Sequence, residues 1–257
     1  MTRPRAALEW TEGRRFVLGG TAFQCMPDGF DEQAELREGE FFIFKPRTLV
    51  ERYASLIAEL EPQRILELGI FQGGSTLFFA ELARPRGVVA IDIESLTKVR
   101  DRLENHAADR GLAGVVRTFG EVDQADRGRL AEIVEESFDG GALDLVADDC
   151  SHEYEPTRAS FNELFPRLRS GGAYVIEDWW PHIRPEHPEG LFAGQVPLTR
   201  LLFEIALALP RVPGLITDIS VEAQAAVIRR GDAEVDPATF DISACSNPRG
   251  KELLASP

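Results

Sequence analysis

The sequence predicts an α/β fold with a doubly wound, mostly parallel sheet. From residue 48 onward, short apolar segments typical of buried strands alternate with longer segments whose apolar residues recur at helical spacing. A glycine-rich turn follows the first of these strands. The length of 257 residues lies near the upper size for one hydrophobic core. One α/β domain with additions is therefore favoured over two full domains.

The segment that precedes this alternation has a different character. Residues 1–47 contain short apolar runs separated by Gly, Pro and Asp, a pattern that predicts a small extension with a hairpin. We expect this extension to act as a cover or lid. From residue 48 to Leu60 the apolar residues recur at helical spacing, which predicts an amphipathic helix that leads into the first strand.

The alternation that follows predicts a Rossmann-like sheet. The predicted strands are 64–68, 87–92, 115–120, 143–148 and 173–178. The predicted helices are 74–83, 96–109, 125–137 and 156–169, the last of them stopped by Gly171 and Gly172. Two later apolar runs, GLITDISV and AAVIRRG, predict a closing antiparallel pair. The sheet would then have seven strands, in a domain of residues 48–230.

A long loop follows the fifth predicted strand. Residues from about 179 to 199 are rich in Pro and His and exceed an ordinary connection in length, which predicts a functional loop that contacts substrate. His182 and His187 could contact either substrate or solvent, and Trp179 and Trp180 could either stack on a sugar or serve as ordinary packing of a lid. The remaining residues, 231–257, are polar and weakly patterned, as in a tail.

Composition excludes several classes of partner. The formal net charge of −15 opposes binding to a phosphate backbone, so nucleic acid is not expected as a partner. The apolar run at 201–209 contains Glu204 and is much shorter than the roughly 20 residues of a membrane span. The first residues do not resemble a secretory signal, and three widely spaced cysteines match no disulfide framework. We expect a cytoplasmic protein without a membrane partner.

Acidic residues follow two neighbouring predicted strands. Asp149 ends the segment LVADD and Glu177 and Asp178 end AYVIED, with one predicted helix between them. A parallel crossover places the carboxyl ends of both strands at the same edge of the sheet, where open α/β sheets bind ligands. A single acid there could simply cap a helix. Three acids with His152 nearby favour a site with hard oxygen ligands and a base.

The glycine-rich turn, LELGIFQGGST, predicts a nucleotide-class site. Gly69 and Gly73 allow a tight turn and a close approach of the backbone to a ligand. The spacing is neither the dinucleotide fingerprint nor the phosphate loop. Glu67 would repel a pyrophosphate but suits a cationic group. The charge therefore favours S-adenosylmethionine, which carries a sulfonium, over NAD.

Two further strand ends could contact such a cofactor. Asp92 ends the second strand, about 20 residues after the first glycine, where an acid accepts hydrogen bonds from ribose hydroxyls. The alternative is that Asp92 caps a helix. Gly120, Glu121 and Asp123 follow the third strand, from which polar groups can reach an adenine edge.

At these residues the chain resembles a known family. ELGIFQGGST, Asp92 and LRSGGAYVIED resemble the class I S-adenosylmethionine-dependent methyltransferases over about residues 48–230. Phe71 stands where the common GxGxG form has its middle glycine. More narrowly, GGS with DDCSH and IEDWW is similar to the metal-dependent O-methyltransferases of macrolide sugars, such as the mycinamicin and tylosin enzymes, and to the related cephalosporin hydroxylase.

The resemblance implies a set of site residues and ligands. Mg²⁺ would be held by Asp149, Glu177 and Asp178, with Asp149 and His152 as catalytic residues and His152 as the base. The implied cofactor contacts are Glu67, Gly69, Gly73, Ser75, Asp92, Gly120, Asp123 and Asp148. A homo-oligomer is also implied.

The implied reaction transfers a methyl group from S-adenosylmethionine to a small-molecule hydroxyl, in a sugar or other diol of a natural product. An alcohol is a poor nucleophile near neutral pH, so a metal and a base would promote its deprotonation. Two alternatives stay open: an oxidative enzyme of the hydroxylase type, and a non-catalytic accessory protein that binds S-adenosylmethionine.

Overall fold

The computed structural model describes residues 7–25, 36–180 and 194–245, and the chain divides into two compact units, Met1–Glu121 and Val122–Pro257. His182, His187 and most of the predicted substrate loop lie outside the described residues, as do the last twelve residues of the predicted tail, 246–257. Within the described part of the chain, no helix combines the length and the apolar character that a membrane span requires.

The predicted α/β fold is confirmed. A first sheet contains β1 (Glu9–Trp10), β2 (Arg15–Leu18), β3 (Thr21–Cys25) and β4 (Phe41–Ile43). The strands of the second sheet are β5 (Arg64–Leu68), β6 (Gly87–Ile91), β7 (Val116–Phe119), β8 (Leu143–Asp148), β9 (Leu168–Glu177), β10 (Ile216–Val221) and β11 (Ala225–Arg230). The seven strands follow the order β10-β11-β9-β8-β5-β6-β7.

The described residues contain six α-helices. They are α1 (Arg47–Leu60), α2 (Gly74–Ala83), α3 (Thr97–Asp109), α4 (Arg127–Phe138), α5 (Tyr154–Leu164) and α6 (Thr199–Arg211). Helices α1 to α5 agree with the predicted helices apart from the end of α5, whereas α6 was not among the predicted helices. The strands β5 to β9 all begin or end within a few residues of the predicted positions except at the start of β9.

In the first unit, β5, β6 and β7 pair in parallel. The predicted N-terminal extension forms the four-stranded sheet, with an antiparallel β2–β3 pair. Its aromatic side chains pack on α2: the rings of Phe16 and Phe23 stack at 5.1 Å, and each meets the ring of Phe78 edge-on. Because Phe16 and Phe23 are fully buried, this segment has a hydrophobic core of its own with α2.

In the second unit, β8 and β9 pair in parallel and the predicted antiparallel strands β10 and β11 close the sheet beside β9. The prediction of a helix over 156–169 was wrong at its end. Helix α5 stops at Leu164, a short 3-10 turn spans Phe165–Arg167, and β9 begins at Leu168. Pro166 lacks the N–H that the next helical turn needs, so the chain leaves the helix there.

Gly171 and Gly172 therefore do not stop a helix; they lie inside β9. The register between β8 and β9 shifts at this point, because Leu143 pairs with Leu168 whereas Leu145 pairs with Ala173. The extra residues form a bulge, and Gly171 takes a φ of 76° within it. Beyond the bulge the parallel pairing is regular up to Asp148 and Ile176.

Candidate active site

The structure brings Asp149, His152 and Asp178 together in the second unit. Asp149 and His152 lie in the loop after β8, and Asp178 directly follows β9. One ligand atom from each residue lies within 4.8 Å of the others, and His152 Nε2 is 3.8 Å from Asp149 Oδ1. All three side chains are half-buried, so they face both the protein and solvent. We call these three residues the acid–histidine cluster.

Glu177, the third predicted metal ligand, is the last residue of β9 and is only 2% exposed. Among the described residues, the cluster with metal-ligand spacing contains Asp178 and not Glu177. The role of Glu177 as a metal ligand therefore stays a prediction.

Two members of the cluster have a strained backbone. His152 and Asp178 have φ values of 56° and 45°, in the left-handed region that side chains with a Cβ disfavour. Such conformations persist only where neighbouring contacts impose them, and they concentrate at functional sites. At Asp178 the backbone N–H donates to the carbonyl of Gln224, at 3.0 Å, in the turn between β10 and β11.

The turn between β10 and β11 also contacts Trp179, the residue after Asp178. Trp179 Nε1 donates to the carbonyl oxygen of Glu222 at 2.9 Å. The sequence left the role of Trp179 open, and this contact shows that its indole packs on the hairpin turn. The hairpin of β10 and β11 therefore fixes the chain on both sides of the Asp178 side chain.

Asp148, predicted to contact the cofactor, lies inside the fold. Its side chain is 3% exposed and accepts hydrogen bonds from Gln124 Nε2 at 2.7 Å, Ser160 Oγ at 2.9 Å and the hydroxyl of Tyr174. Burial raises the pKa of Asp148 to about 6, and the bonds from Tyr174 and Ser160 partly offset that rise. These contacts place Asp148 in a buried polar network rather than at a ligand surface.

Gln124 and Tyr174 are members of this network that sequence reasoning missed. Their partner Asp148 is 24 residues from Gln124 and 26 residues from Tyr174 along the chain. No local motif connects positions so far apart. A buried Gln within a polar loop gave no signal that distinguished it from its solvent-exposed neighbours.

The glycine-rich turn of the first unit is tied to Asp92. The Asp92 carboxylate accepts hydrogen bonds from the backbone N–H groups of Ile70 and Phe71 on Oδ2 and of Glu94 on Oδ1, at 2.8, 3.2 and 3.0 Å. Gly69 has a φ of 89°, and its N–H donates to the carbonyl of Ile91. Asp92 thus fixes the glycine-rich turn through hydrogen bonds to its backbone. The sequence had suggested only that Asp92 contacts a ribose or caps a helix.

The glycines that open α2 are required by packing. A Cβ on Gly73 would lie 2.6 Å from Leu103, and a Cβ on Gly74 would lie 1.9 Å from the carbonyl oxygen of Phe42. Gly73 also has a φ of 80°. The absence of side chains at these positions therefore serves the fold, whether or not a ligand approaches the backbone.

Glu67 and Ser75 lie on either side of this turn. Glu67 is 1% exposed in β5, and its Oε2 accepts a hydrogen bond from Thr76 Oγ1 at 2.6 Å. Ser75 is half-buried in the first turn of α2. The carboxyl group of Glu67 therefore lies next to the turn, and its role toward a cationic ligand stays a prediction.

The remaining predicted cofactor residues follow β7. A Cβ on Gly120 would lie 2.8 Å from the carbonyl oxygen of Glu94, so packing again requires a glycine. Glu121 has a φ of 60°. Asp123, the second residue of the second unit, is exposed and its Oδ1 accepts a hydrogen bond from the N–H of Ala125 at 2.8 Å.

The fold is that of Rossmann-like methyltransferases. TomG, an O-methyltransferase of Streptomyces achromogenes involved in tomaymycin synthesis, superposes with a TM-score of 0.51 at 20% identity, covering 73% of this chain and 82% of that one. The MycE methyltransferase of the mycinamycin pathway, solved with Mg, SAH and mycinamycin VI, superposes with a TM-score of 0.53 at 27% identity. That match covers 70% of this chain and 49% of MycE.

The segment of residues 66–179 matches the family model of a methyltransferase domain. It begins within β5, before the glycine-rich turn, and ends just after Asp178, so it contains both the turn and the acid–histidine cluster.

Sequence comparison identifies similar proteins that are named as O-methyltransferases. Demethylmacrocin O-methyltransferase of Streptomyces fradiae is 34% identical over 148 residues, which cover 55% of this chain and 33% of that protein. Mycinamicin VI 2''-O-methyltransferase of Micromonospora griseorubida is 36% identical over 124 residues, which cover 46% of this chain and 27% of that protein. The chain thus matches a third or less of the length of these relatives.

Proposed function

We propose that this protein is an S-adenosylmethionine-dependent O-methyltransferase that methylates a hydroxyl of a sugar or other diol in a natural product, with the help of Mg²⁺. The observation that carries the proposal is the grouping of Asp149, His152 and Asp178 at the ends of β8 and β9. Three sequence relatives are named demethylmacrocin O-methyltransferase, L-olivosyl-oleandolide 3-O-methyltransferase and mycinamicin VI 2''-O-methyltransferase.

The donor groups of the cluster fit a magnesium ion. Mg²⁺ prefers oxygen ligands and usually takes one or two carboxylates together with water and substrate oxygens. Asp149 and Asp178 offer two half-buried carboxylates, and Glu177 is the proposed third. When bound there, the ion would supply positive charge that polarises an acceptor hydroxyl and lowers its pKa.

His152 is the proposed general base. Its side chain is 24% exposed, so an acceptor can reach the imidazole, whose Nε2 lies 3.8 Å from Asp149 Oδ1. His152 takes the hydroxyl proton as the acceptor oxygen forms its bond to the methyl carbon. The carbon–sulfur bond breaks at the same time, and its electron pair converts the sulfonium into a neutral thioether.

The proposed donor site lies in the first unit at the glycine-rich turn. The buried Glu67 carboxylate favours a cationic donor, and Gly69 and Ser75 lie in and beside the turn. Asp92 uses three of its roughly four acceptor positions on backbone N–H groups, which leaves capacity for a ribose hydroxyl. Gly73 and Gly120 complete the residues proposed in this unit, whereas a contact of Asp123, in the second unit, stays a prediction.

The test identifies the product. The protein is incubated with S-adenosylmethionine that carries a deuterated methyl group, with Mg²⁺ and a panel of rhamnosyl and other deoxysugar glycosides, and products are analysed by mass spectrometry. We expect a deuterated methyl ether. Its formation should stop with a chelator, return with added Mg²⁺, and be lost in Asp149→Asn. Gain of an oxygen atom instead would identify the oxidative alternative, and binding of the donor without product on any acceptor would favour the accessory protein.

A further inference from the structure

Gln124 links the buried end of β8 to the loop that carries two members of the acid–histidine cluster. The Gln124 side chain is 3% exposed. Its Nε2 donates to Asp148 Oδ1 at 2.7 Å and to Ser160 Oγ at 3.1 Å. Its Oε1 accepts from the backbone N–H of Ser151 at 3.3 Å and from Ser151 Oγ at 2.8 Å. A side-chain amide has two donors and two acceptor positions, so Gln124 makes all four of its hydrogen bonds within the protein.

The orientation of this amide is fixed by its partners. An ionised Asp148 can only accept hydrogen bonds, and the backbone N–H of Ser151 can only donate. Rotating the Gln124 amide by half a turn would place its oxygen against the Asp148 carboxylate and its NH₂ group against the Ser151 N–H. Both contacts would become repulsive, so Gln124 is a rigid connection with one allowed arrangement.

Ser151 lies between Asp149 and His152 in the loop after β8. It immediately precedes His152, whose φ of 56° requires support from outside the loop. Ser151 Oγ also accepts a hydrogen bond from the N–H of Glu153 at 3.2 Å, so both the backbone and the side chain of Ser151 fix the turn. Asp149 lies two residues before Ser151, so the hydrogen bonds from Ser151 to Gln124 fix the loop between Asp149 and His152.

We propose that Gln124 is a positioning residue for the acid–histidine cluster: it holds the loop after β8 so that Asp149 and His152 meet Asp178. This inference rests on the proposed function, because it takes the cluster as the metal and base site. Gln124 lies outside the cluster and acts through Ser151. Its loss should therefore weaken metal binding while the affinity for S-adenosylhomocysteine stays unchanged.

The first variant is Gln124→Met, which keeps the length of the side chain and removes its four hydrogen bonds. Binding of Mn²⁺, a paramagnetic substitute for Mg²⁺, is measured by the electron paramagnetic resonance signal of free Mn²⁺. We expect Mn²⁺ affinity to fall about tenfold, as for other residues that orient metal ligands. Circular dichroism and calorimetry with S-adenosylhomocysteine check that the fold and the donor site are intact.

The matched control is Ser160→Ala. Ser160 also bonds to Asp148 and to Gln124 Nε2, but among the described residues its hydrogen bonds do not reach the loop of residues 149–153. Mn²⁺ affinity should equal that of the wild type in Ser160→Ala. An equal loss in Ser160→Ala and Gln124→Met would overturn the proposal, because the effect would then come from general damage to the network.

Ser151→Ala supplies a second, milder variant. It removes one hydrogen bond to Gln124 and should lower Mn²⁺ affinity about fivefold. If Gln124→Met folds and binds Mn²⁺ as tightly as the wild type, the proposal is overturned. If Gln124→Met does not fold, Ser151→Ala becomes the decisive variant, and wild-type Mn²⁺ affinity in it would overturn the proposal.

The two proposals can fail separately. If wild-type protein binds no Mn²⁺, or if Asp149→Asn binds it as tightly as the wild type, the metal site and the positioning role are both overturned. If Asp149→Asn abolishes binding but Gln124→Met leaves it unchanged, the metal site stands and only the role of Gln124 is overturned.

Discussion

Strain at single residues marks the loops that follow the parallel strands. Among the described residues, seven other than glycine have positive φ: Glu61, Phe71, Arg84, Glu121, Asp139, His152 and Asp178. Three of them, Glu61, Arg84 and Asp139, are ordinary helix C-caps. The other four lie just after β5, β7, β8 and β9, and each is expected to cost about 1–3 kcal/mol. Phe71 thus keeps a left-handed backbone at a position where related motifs carry glycine.

His152 gives the sharpest prediction at this scale. Replacing it with Ala removes the proposed base, so turnover of an accepted glycoside should fall about 100- to 10,000-fold. The affinity for S-adenosylhomocysteine should stay unchanged, because the proposed donor contacts lie elsewhere. Steady-state kinetics at saturating substrates and calorimetry measure the two effects.

The matched control is the other described histidine, His106. It lies in the first unit, where its Nε2 is 2.8 Å from Thr21 Oγ1 and its ring packs on Phe41. His106→Gln should retain the turnover of the wild type. Substantial turnover in His152→Ala would show that another group accepts the proton.

At the scale of elements, apolar spacing was sufficient for most of the fold. The helices and strands from α1 to β8 could be predicted because each has a continuous apolar face or core, as α1 and β8 illustrate. The boundary between α5 and β9 could not be predicted, because the bulge at Gly171 depends on pairing with β8 and not on local sequence. Gly171 and Gly172 resembled the glycines that commonly follow the last residue of a helix.

Packing of α2 against the N-terminal sheet yields a stability prediction. In Gly74→Ala the new Cβ would meet the Phe42 carbonyl oxygen, which belongs to β4 and cannot rotate away as a side chain can. Forced backbone movement should lower the free energy of unfolding by about 3 kcal/mol. Urea denaturation followed by circular dichroism measures the change.

Gly128→Ala is the matched control, because Gly128 lies in α4 and a Cβ there would meet only Asp126 Oδ1 at an ordinary 3.5 Å. This change should raise the free energy of unfolding by about 0.5–1 kcal/mol, since Ala favours helix more than Gly does. Equal effects in the two variants would refute the close contact between α2 and β4.

For the whole molecule, the proposed functions are divided between the two compact units. The turn with Gly69 and Asp92 belongs to the first unit, and the acid–histidine cluster belongs to the second. The sequence could predict the cluster because parallel strands bring their ends to one edge, a rule that needs no detailed contacts. It could not predict Gln124, whose role depends on hydrogen bonds between distant side chains.

Cysteine reactivity tests whether the N-terminal sheet is as tightly packed as the structure indicates. Cys25 is fully buried, and burial raises the pKa of its thiol to about 11. The pKa in the unfolded chain is 9.0, so the stability contributed by the neutral thiol is fully present below pH 9 and is lost as the pH rises through 11. At pH 8 only about 0.1% of Cys25 is thiolate, the reactive form.

N-ethylmaleimide at pH 8 should therefore modify the half-buried Cys150 before Cys25, which should react only as the protein unfolds. Timed labelling followed by peptide mass spectrometry gives the rate at each site, and labelling in urea shows that both thiols are chemically competent. Modification of Cys25 as fast as Cys150 in the native protein would contradict the buried sheet.

The most direct test of the account is a calorimetric titration of S-adenosylhomocysteine into chelator-treated protein, repeated with Mg²⁺ present. We predict saturable binding in both conditions, weakened in Asp92→Ala, and a separate heat of Mg²⁺ binding that is lost in Asp149→Asn. Absence of S-adenosylhomocysteine binding in both conditions would contradict the account, because the glycine-rich turn would then be only part of the scaffold.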